Sequence, residues 1–230
     1  MIDAPKPVLW HIPISHYSEK ARWALDWKGI DYEARAPMPG AHIPVALWLT
    51  RGKYKTFPVL ELDGRAIGDS TALIAALEAA HPERPLYPSD PAERSRALEI
   101  EEWFDENLGP DIRLLAWHEI RKDVKVLAAA SRTLTPPGLR DRPMVEAIGK
   151  RFGSAYVQLR FRVGSDESAA RARDAVLAAL SRLEDELESS GGEFLVGRPV
   201  LRGRPLGGLP HVPARQPSRG PGAGEPAAGV

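Results

Sequence analysis

Residues 56–73 read Thr-Phe-Pro-Val-Leu-Glu-Leu-Asp-Gly-Arg-Ala-Ile-Gly-Asp-Ser-Thr-Ala-Leu, and the rest of the chain is organised around this stretch. The apolar run Val59–Leu62 predicts a strand. Asp63-Gly64 predicts a tight hairpin, because a type I′ turn needs positive φ angles that Asp and Gly tolerate. Arg65–Ile67 is the expected return strand. Gly68-Asp69-Ser70 then supplies a loop and a helix N-cap, since a short side-chain oxygen accepts hydrogen bonds from the first N–H groups of a helix.

The sequence on either side of this stretch predicts further strands and helices. Leu73, Ile74 and Leu77 recur at helical spacing until Pro82, which cannot continue a helix. Gly29 is placed to end an earlier helix in a left-handed cap. The expected elements before the stretch are a strand Val8–Ile12, a helix Glu19–Lys28, a strand Tyr32–Ala36 and a short helix Pro44–Leu49. This order is thioredoxin-like: a strand–helix–strand unit joined to a hairpin and a covering helix.

The second half of the chain predicts helices alone. Residues 6–82 form the expected α/β thioredoxin-like domain, residues 83–91 a linker rich in proline and charge, and residues 92–197 an all-α helical domain. Gly109-Pro110 is expected to break or kink the helical pattern. The expected helices are Ala92–Asn107, Ile112–Ala130, Met144–Val163 and Ala169–Glu188.

The tail Arg198–Val230 differs in character from the rest. It is dense in Gly, Pro and Arg, holds no aromatic residue, and shows neither helical nor strand periodicity. Such a segment cannot bury enough apolar surface to offset the entropy lost on ordering. We therefore expect residues 198–230 to be disordered.

The amino-acid composition excludes several kinds of functional site and argues against several kinds of partner. Lys+Arg and Asp+Glu balance at 31 each, which gives no electrostatic reason to expect nucleic acid or an anionic membrane as a partner. The chain has no cysteine, so disulfides, thiolate metal sites and a protein cysteine nucleophile are excluded. The first residues lack the basic and apolar regions of a signal peptide, and no apolar run reaches transmembrane length. A soluble, cytoplasmic protein without a metal is the expectation.

The order of motifs around Pro58 points to a family. A proline heading a strand, a tight hairpin and the Asp69-Ser70 helix cap resemble the glutathione-binding half of a cytosolic glutathione transferase. The resemblance covers Val8–Gly197 and implies a cis Phe57–Pro58 peptide. It also implies that Asp69 and Ser70 hold the γ-glutamyl group of glutathione, the co-substrate, and that the protein is a homodimer.

The resemblance implies that a hydroxyl near the end of the first strand faces the sulfur of glutathione. Ser15 occupies that position, and Ser15-His16-Tyr17-Ser18 has the spacing of Cys-x-x-Cys with both cysteines replaced, as in the serine-type transferases. Ser15 is therefore the expected catalytic residue, against the alternative that it only caps the helix. Ser18 and Tyr17 are alternative donors to the thiolate. His16 is expected to be a solvated helix-start residue.

The remaining glutathione contacts also follow from the resemblance. The backbone N–H and C=O of Phe57 would pair with the cysteinyl backbone, strand to strand. Lys53 and Lys55 could bind the glycine carboxylate or be solvated. Asp69 is one methylene shorter than the glutamate usual in the family, which weakens the case for direct contact. Arg22 is expected to be a structural ion-pair partner.

The implied reaction is attack of the glutathione thiolate on a small hydrophobic electrophile, as in detoxification. Peroxide reduction, dehalogenation and isomerisation use the same thiolate chemistry and stay open. The alternatives are a non-catalytic binding protein of this fold and an inactive, frameshifted member. The electrophile site is expected against the helical domain, around Trp103, Asn107, Arg113, Leu114 and Trp117.

The frameshift hypothesis comes from the end of the resemblance at Gly197. The family expects Asp-Arg-Phe-Ser-Val-Ala-Asp-Leu there, with Ser and Asp forming the capping box of a buried helix. Pro199–Pro205 can be encoded by CCG GTT CTC CGT GGC CGA CCT, which read one base later gives Arg-Phe-Ser-Val-Ala-Asp-Leu. The residues from Leu206 to His211 likewise permit Ser-Ala-Ala-Ser-Leu-Met. We therefore interpret the tail as the product of a shifted reading frame, natural or erroneous.

Overall fold

The computed structural model describes residues 5–38, 41–135, 138, 142, 144, 165–191 and 195–196. Its first part contains four strands and three helices, in the order β1 (Val8–Trp10), α1 (His16–Lys28), β2 (Glu33–Arg35), α2 (His42–Leu49), β3 (Val59–Leu62), β4 (Arg65–Gly68) and α3 (Ser70–Ala80). The helices that follow are α4 (Pro91–Trp103), a π-helical segment (Phe104–Leu108), α5 (Gly109–Ile120), α6 (Val124–Leu134) and α7 (Asp166–Ser189). We call this second part the helical region.

The four strands form one mixed sheet in the order β2-β1-β3-β4. Strand β1 runs parallel to β2 and antiparallel to β3, and β3 runs antiparallel to β4. At the hairpin, Asp63 and Gly64 have φ angles of 50° and 73°, which confirms the predicted turn. The thioredoxin-like α/β fold, followed by helices, is therefore confirmed.

The register of the sheet brings three loops to one edge. Trp10 lies opposite Val59, and Val59 lies opposite Gly68. Consequently the chain leaving β1, the chain entering β3 and the chain leaving β4 all lie at the same end of the sheet. Ser15 follows the first of these strands, Pro58 precedes the second and Asp69 follows the third.

Alternate residues of the central strands pack into two apolar clusters on opposite faces of the sheet. The larger cluster joins β1 and β3 to α1 and α3, and its fully buried members include Leu9, Leu25, Leu60, Leu73 and Leu77. The smaller cluster lies under α2 and contains Ala46, Phe57 and Val59. These clusters fix the helices whose first turns lie beside the three loops.

Several helix boundaries differ from the prediction because polar caps override the apolar pattern. Helix α1 begins at His16, three residues before the predicted Glu19, since Ser15 is the N-cap. The predicted single helix Ile112–Ala130 is wrong, because Asp123 starts a new helix by accepting hydrogen bonds from the Lys125 and Val126 N–H groups. Helix α7 likewise begins earlier than predicted, at Asp166, with Ser165 as its cap.

The expected break at Gly109-Pro110 appears as a π-helical segment. The backbone stays helical through Gly109, with φ −57° and ψ −47°, and the Gly109 N–H donates to the Phe104 carbonyl five residues back. A widened turn of this kind accommodates a residue such as Pro110 that lacks an N–H donor. Of the predicted helix Met144–Val163 only Met144 lies within the described residues, and the tail Arg198–Val230 lies outside them.

Where the chain is described, none of its helices combines the length and apolarity needed to cross a membrane.

Candidate active site

Ser15 lies at the N-terminus of α1, in the loop that follows β1. Its backbone is extended, with φ −84° and ψ 125°, as an N-cap requires, and its Oγ accepts a hydrogen bond from the Ser18 N–H at 3.4 Å. The capping role is therefore present. Among the described residues no acceptor takes the hydroxyl proton of Ser15, so the half-buried side chain can donate that proton to a ligand while still capping the helix.

The two alternative donors are placed differently. Ser18 is fully buried, and its Oγ accepts a hydrogen bond from the Ile12 N–H at 3.1 Å, which closes the loop between β1 and α1. The Tyr17 hydroxyl donates to the backbone carbonyl of Asp105 at 2.7 Å. Burial, reinforced by the Asp105 carboxylate, raises the pKa of Tyr17. Of the three candidates, Ser15 combines partial exposure with a hydroxyl proton that no described residue accepts.

Phe57 and Pro58 enter β3 through a cis peptide bond, as predicted. The Phe57 side chain is buried and stacks against Trp10 with ring centroids 6.5 Å apart. The ring therefore belongs to the core. In the part of the chain that the structure describes, the Phe57 N–H makes no backbone hydrogen bond, which leaves it available to an extended peptide ligand.

Asp69 and Ser70 lie where β4 turns into α3. The exposed Asp69 has a φ of 75°, and its Oδ1 accepts hydrogen bonds from the N–H groups of Thr71 at 3.0 Å and Ala72 at 3.1 Å. One carboxylate oxygen thus caps the helix and the other stays open to solvent. Ser70 is almost fully buried, and its hydroxyl has no partner among the described side chains and backbone groups.

The lysines before β3 are exposed. The Lys53 ammonium lies 5.1 Å from the centroid of the Tyr54 ring, and Lys55 has no partner among the described residues. The Tyr54 ring packs on Gly68, where a Cβ would come within 2.5 Å of it. This contact fixes the segment that carries both lysines beside the end of β4.

Arg22 is an ion-pair partner, as predicted. Its guanidinium binds the Glu19 carboxylate, contacts His11 Nδ1 at 2.6 Å and donates to the Pro13 carbonyl at 3.2 Å. Arg22 therefore ties the loop between β1 and α1 to the first turn of the helix.

His16 is not the solvated residue that the sequence suggests. Its Nε2 is buried and has no hydrogen-bond partner among the described residues, and its ring lies 4.1 Å from that of Tyr17. Burial lowers the pKa of His16 and the Arg113 guanidinium lowers it further, whereas Asp105 opposes them. The imidazole is accordingly neutral near pH 7 and is packed against the helical region.

The predicted electrophile site is only partly brought together. The Trp103 ring lies under the Arg182 guanidinium at 3.9 Å, and the Asn107 side chain donates to the Trp103 carbonyl at 2.8 Å. These two residues pack within the helical region. Arg113 lies near His16 and Tyr17, and Leu114 and Trp117 are half-buried on the same helix.

A polar cluster between the two parts of the chain was not predicted. We call it the interface cluster; it consists of Lys20, Thr71, Tyr87, Glu101 and Asp105, joined by hydrogen bonds and ion pairs. These residues come from α1, α3, the linker, α4 and the π-helical segment. No local sequence signal could have found the cluster, because its contacts span 14 to 85 positions.

The described residues contain no group of three or more His, Asp or Glu side chains arranged to hold a metal ion.

Comparison with known proteins gives one family. Residues 9–85 match the family described as "Glutathione S-transferase, N-terminal domain". The maleylacetoacetate isomerase of Dictyostelium discoideum is 33% identical over 108 residues, which cover 46% of this chain and 49% of that protein. A glutathione S-transferase of Triticum aestivum is 35% identical over 95 residues, covering 41% of this chain and 43% of that protein. The chain thus spans about half the length of the curated relatives it matches.

A solved structure supports the fold. The glutathione complex of a glutathione S-transferase from Ceriporiopsis subvermispora aligns with a TM-score of 0.53 and 21% identity, covering 81% of this chain and 75% of that one. The matched N-terminal domain, the named relatives and the shared fold agree with one another. Residues 9–85 of this chain are therefore similar to the N-terminal domain of glutathione S-transferases.

Proposed function

We propose that this protein binds glutathione at the edge of the sheet and directs its thiolate to a small hydrophobic electrophile, with Ser15 as the catalytic residue. The observation that carries this proposal is the convergence of Ser15, Phe57 and Asp69 at one end of the sheet, through the pairing of Trp10, Val59 and Gly68. The three segments offer a hydroxyl donor, a free backbone N–H and a helix N-terminus to one extended tripeptide.

Free-energy magnitudes support the role of Ser15. An unperturbed thiol has a pKa of about 8.5, and lowering it by about two units requires nearly 3 kcal/mol of preferential stabilisation of the thiolate. A hydrogen bond from a hydroxyl to an anion contributes about 1.5–3 kcal/mol. The N-terminus of α1 adds about 0.3–1 kcal/mol. The two contributions together are of the required size.

The remaining parts of glutathione are assigned to residues before β3 and at the start of α3. The backbone of Phe57 would pair with the cysteinyl residue, strand to strand. Asp69 and Ser70 would receive the γ-glutamyl end, because the open carboxylate oxygen of Asp69 suits its ammonium group and the N-terminus of α3 suits its carboxylate. Lys55, exposed and close in sequence to Phe57, is our candidate for the glycine carboxylate. Glutathione acts here as a co-substrate, and no metal takes part in the scheme.

A second activity is favoured by the names of several relatives, which are maleylacetoacetate isomerases. The same thiolate can add to a conjugated cis double bond, and rotation about the resulting single bond followed by loss of the thiolate gives the trans product. Glutathione is regenerated in that sequence, so no other reactant is needed. A non-catalytic protein of the same fold is the remaining alternative. The resemblance to glutathione transferases favours a cytoplasmic homodimer with a role in detoxification.

Three assays on the same preparation test the proposed function. Retention on immobilised glutathione tests binding, and conjugation of a generic aromatic electrophile tests transfer. A third assay follows the isomerisation of a cis-configured conjugated keto acid with catalytic glutathione. We expect retention and at least one turnover activity. Retention without any turnover would favour the non-catalytic alternative, and absence of retention would refute the proposed function.

A further inference from the structure

We propose that the interface cluster sets the geometry of the glutathione site, with Lys20, Thr71 and Asp105 as positioning residues that hold the first turns of α1 and α3 in a fixed relation. The effect on glutathione rests on the function proposed above. The coupling of the two helix starts is a property of the fold and can be measured without any ligand.

Lys20 is the centre of the cluster. Its Nζ lies 2.5 Å from Glu101 Oε1 and 2.5 Å from Asp105 Oδ2, and it donates to Thr71 Oγ1 at 3.2 Å. A single ammonium group thus joins α1 to α3, α4 and the π-helical segment. All three donor protons of the ammonium have an acceptor.

Thr71 connects the cluster to the cap of α3. Its hydroxyl donates to Glu101 Oε1 at 3.0 Å, and its backbone N–H donates to Asp69 Oδ1 at 3.0 Å. One residue therefore links the helical region to the carboxylate that we assign to the γ-glutamyl end. A shift of Glu101 would be transmitted to Asp69 through two hydrogen bonds.

Asp105 makes the corresponding connection to α1. Its carboxylate accepts from Lys20, and its backbone carbonyl accepts from the Tyr17 hydroxyl at 2.7 Å. Tyr17 lies two residues after Ser15, in the first turn of the helix. Asp105 belongs to the π-helical segment, and such segments occur often at functional sites.

Lys20 and Glu101, at the centre of the cluster, already have their full set of partners, which argues against a binding role for these two residues. Tyr87 donates to the second oxygen of Glu101 at 2.5 Å, so both carboxylate oxygens already have partners. The side chains of Lys20, Glu101 and Asp105 are 14–23% exposed, so each is largely desolvated and depends on the others for compensation. Removing the cation would leave two largely desolvated carboxylates of the helical region without their positive partner and would break the ion pairs that join this region to α1.

The variant Thr71→Val tests this proposal with little disturbance. It removes the hydroxyl, keeps the volume of the side chain and leaves the N–H bond to Asp69 in place. Lys20→Met removes the cation, whereas Lys20→Arg keeps it. Lys122→Met is a matched control, because Lys122 forms an exposed ion pair with Glu119 at 2.9 Å, outside the cluster.

Two measurements are made on each variant: the Kd for glutathione, and amide hydrogen exchange of residues 16–19 and 70–73. We expect Thr71→Val to raise Kd on the order of 10-fold, as small misplacements of binding groups do. We also expect it to speed exchange in the first turn of α1, although the substitution lies in α3. Lys20→Met should do the same more strongly, Lys20→Arg should stay closer to the unsubstituted protein, and Lys122→Met should change neither quantity.

A merely structural role gives a different pattern. Thr71→Val would then lower the melting temperature without changing the exchange of residues 16–19, and that result would overturn the proposal. If the unsubstituted protein does not bind glutathione, the proposed function fails, and the exchange measurement alone decides whether the cluster couples the two helices.

Discussion

Gly109 is a single residue on which the contact between α1 and the helical region depends. A Cβ at this position would lie 2.1 Å from the Tyr17 hydroxyl and 2.9 Å from Cζ of its ring. Alanine normally stabilises a helix relative to glycine by about 0.5–1 kcal/mol. At this site we expect the opposite sign, because the crowded ring must move. Gly109→Ala should lower the free energy of unfolding by about 1–3 kcal/mol, measured by urea denaturation.

Tyr17→Phe provides the control for this prediction. The substitution removes the hydroxyl that a Cβ would meet, together with its hydrogen bond to the Asp105 carbonyl. In the Tyr17→Phe background, Gly109→Ala should therefore cost less than it does alone. The same cost in both backgrounds would show that the steric argument is wrong.

Residues whose roles depend on near neighbours could be predicted from the sequence. The cap at Ser15 and the turn at Asp63-Gly64 each follow from a few adjacent residues, the cis bond before Pro58 was implied by the family resemblance, and the structure has all three. Lys20 could not be recognised in this way. Its partner Asp105 lies 85 positions away, and a lysine on an amphipathic helix has the same pattern whether it is solvated or paired.

At the scale of whole elements, apolar periodicity predicted which segments form helices more accurately than it predicted where those helices begin and end. The sequence predicted one helix across α5 and α6, whereas a turn at residues 121–123 and the cap at Asp123 separate them. The sequence correctly predicted that Gly109-Pro110 interrupts the regular α-helix. A broken helix and a π-helical turn, however, have the same sequence pattern. The chain continues through the π-helical segment because Gly109 can donate to the carbonyl of Phe104.

Glu101 connects α4 to three other elements, and its titration should be visible in stability. Burial raises the pKa of Glu101, but hydrogen bonds from Lys20, Tyr87 and Thr71 outweigh burial and hold it below its usual value. A carboxyl with a depressed pKa stabilises the fold above its unfolded pKa of about 4.3, and this contribution is lost as the pH falls through the lower, folded value. The free energy of unfolding should therefore fall between about pH 5 and pH 3.

Glu101→Gln isolates this contribution. The glutamine keeps the size of the side chain and does not titrate, so the variant should be less stable at pH 7 and lose less stability on acidification. Urea denaturation at several pH values measures both quantities. Parallel pH profiles for the two proteins would refute the assigned role of Glu101.

At the scale of the whole molecule, the described residues leave an apolar groove in the helical region. It has a volume of about 600 Å³. Its walls come from the linker, α4, the π-helical segment, α7 and residues 195–196, and they comprise Leu86, Tyr87, Pro88, Ala97, Ile100, Glu101, Phe104, Leu183, Leu187, Leu195 and Val196. An open apolar surface of this kind normally packs against another element.

We propose that the element expected there is the helix encoded in the shifted frame after Gly197. Its sequence, Arg-Phe-Ser-Val-Ala-Asp-Leu-Ser-Ala-Ala-Ser-Leu-Met, carries a capping box and apolar Phe, Val, Leu and Met side chains that can pack against an apolar surface. A chain expressed from the restored frame should gain several kcal/mol of stability, on the scale of a domain's total of about 5–15 kcal/mol. Resequencing the gene around the codon for Gly197 gives the direct check. An intact frame, together with a cooperatively folded tail, would refute the proposal.

We propose that Ser15 stabilises the thiolate of bound glutathione, and a pH titration of thiolate absorbance in the glutathione complex measures this stabilisation. Loss of one hydrogen bond to the anion, worth about 1.5–3 kcal/mol, should raise the pKa of the bound thiol by about one to two units in Ser15→Ala. Turnover should fall, while the fold and the affinity for glutathione should change little. Identical titration curves for Ser15→Ala and the unsubstituted protein would contradict the claim and transfer the donor role to Ser18 or Tyr17.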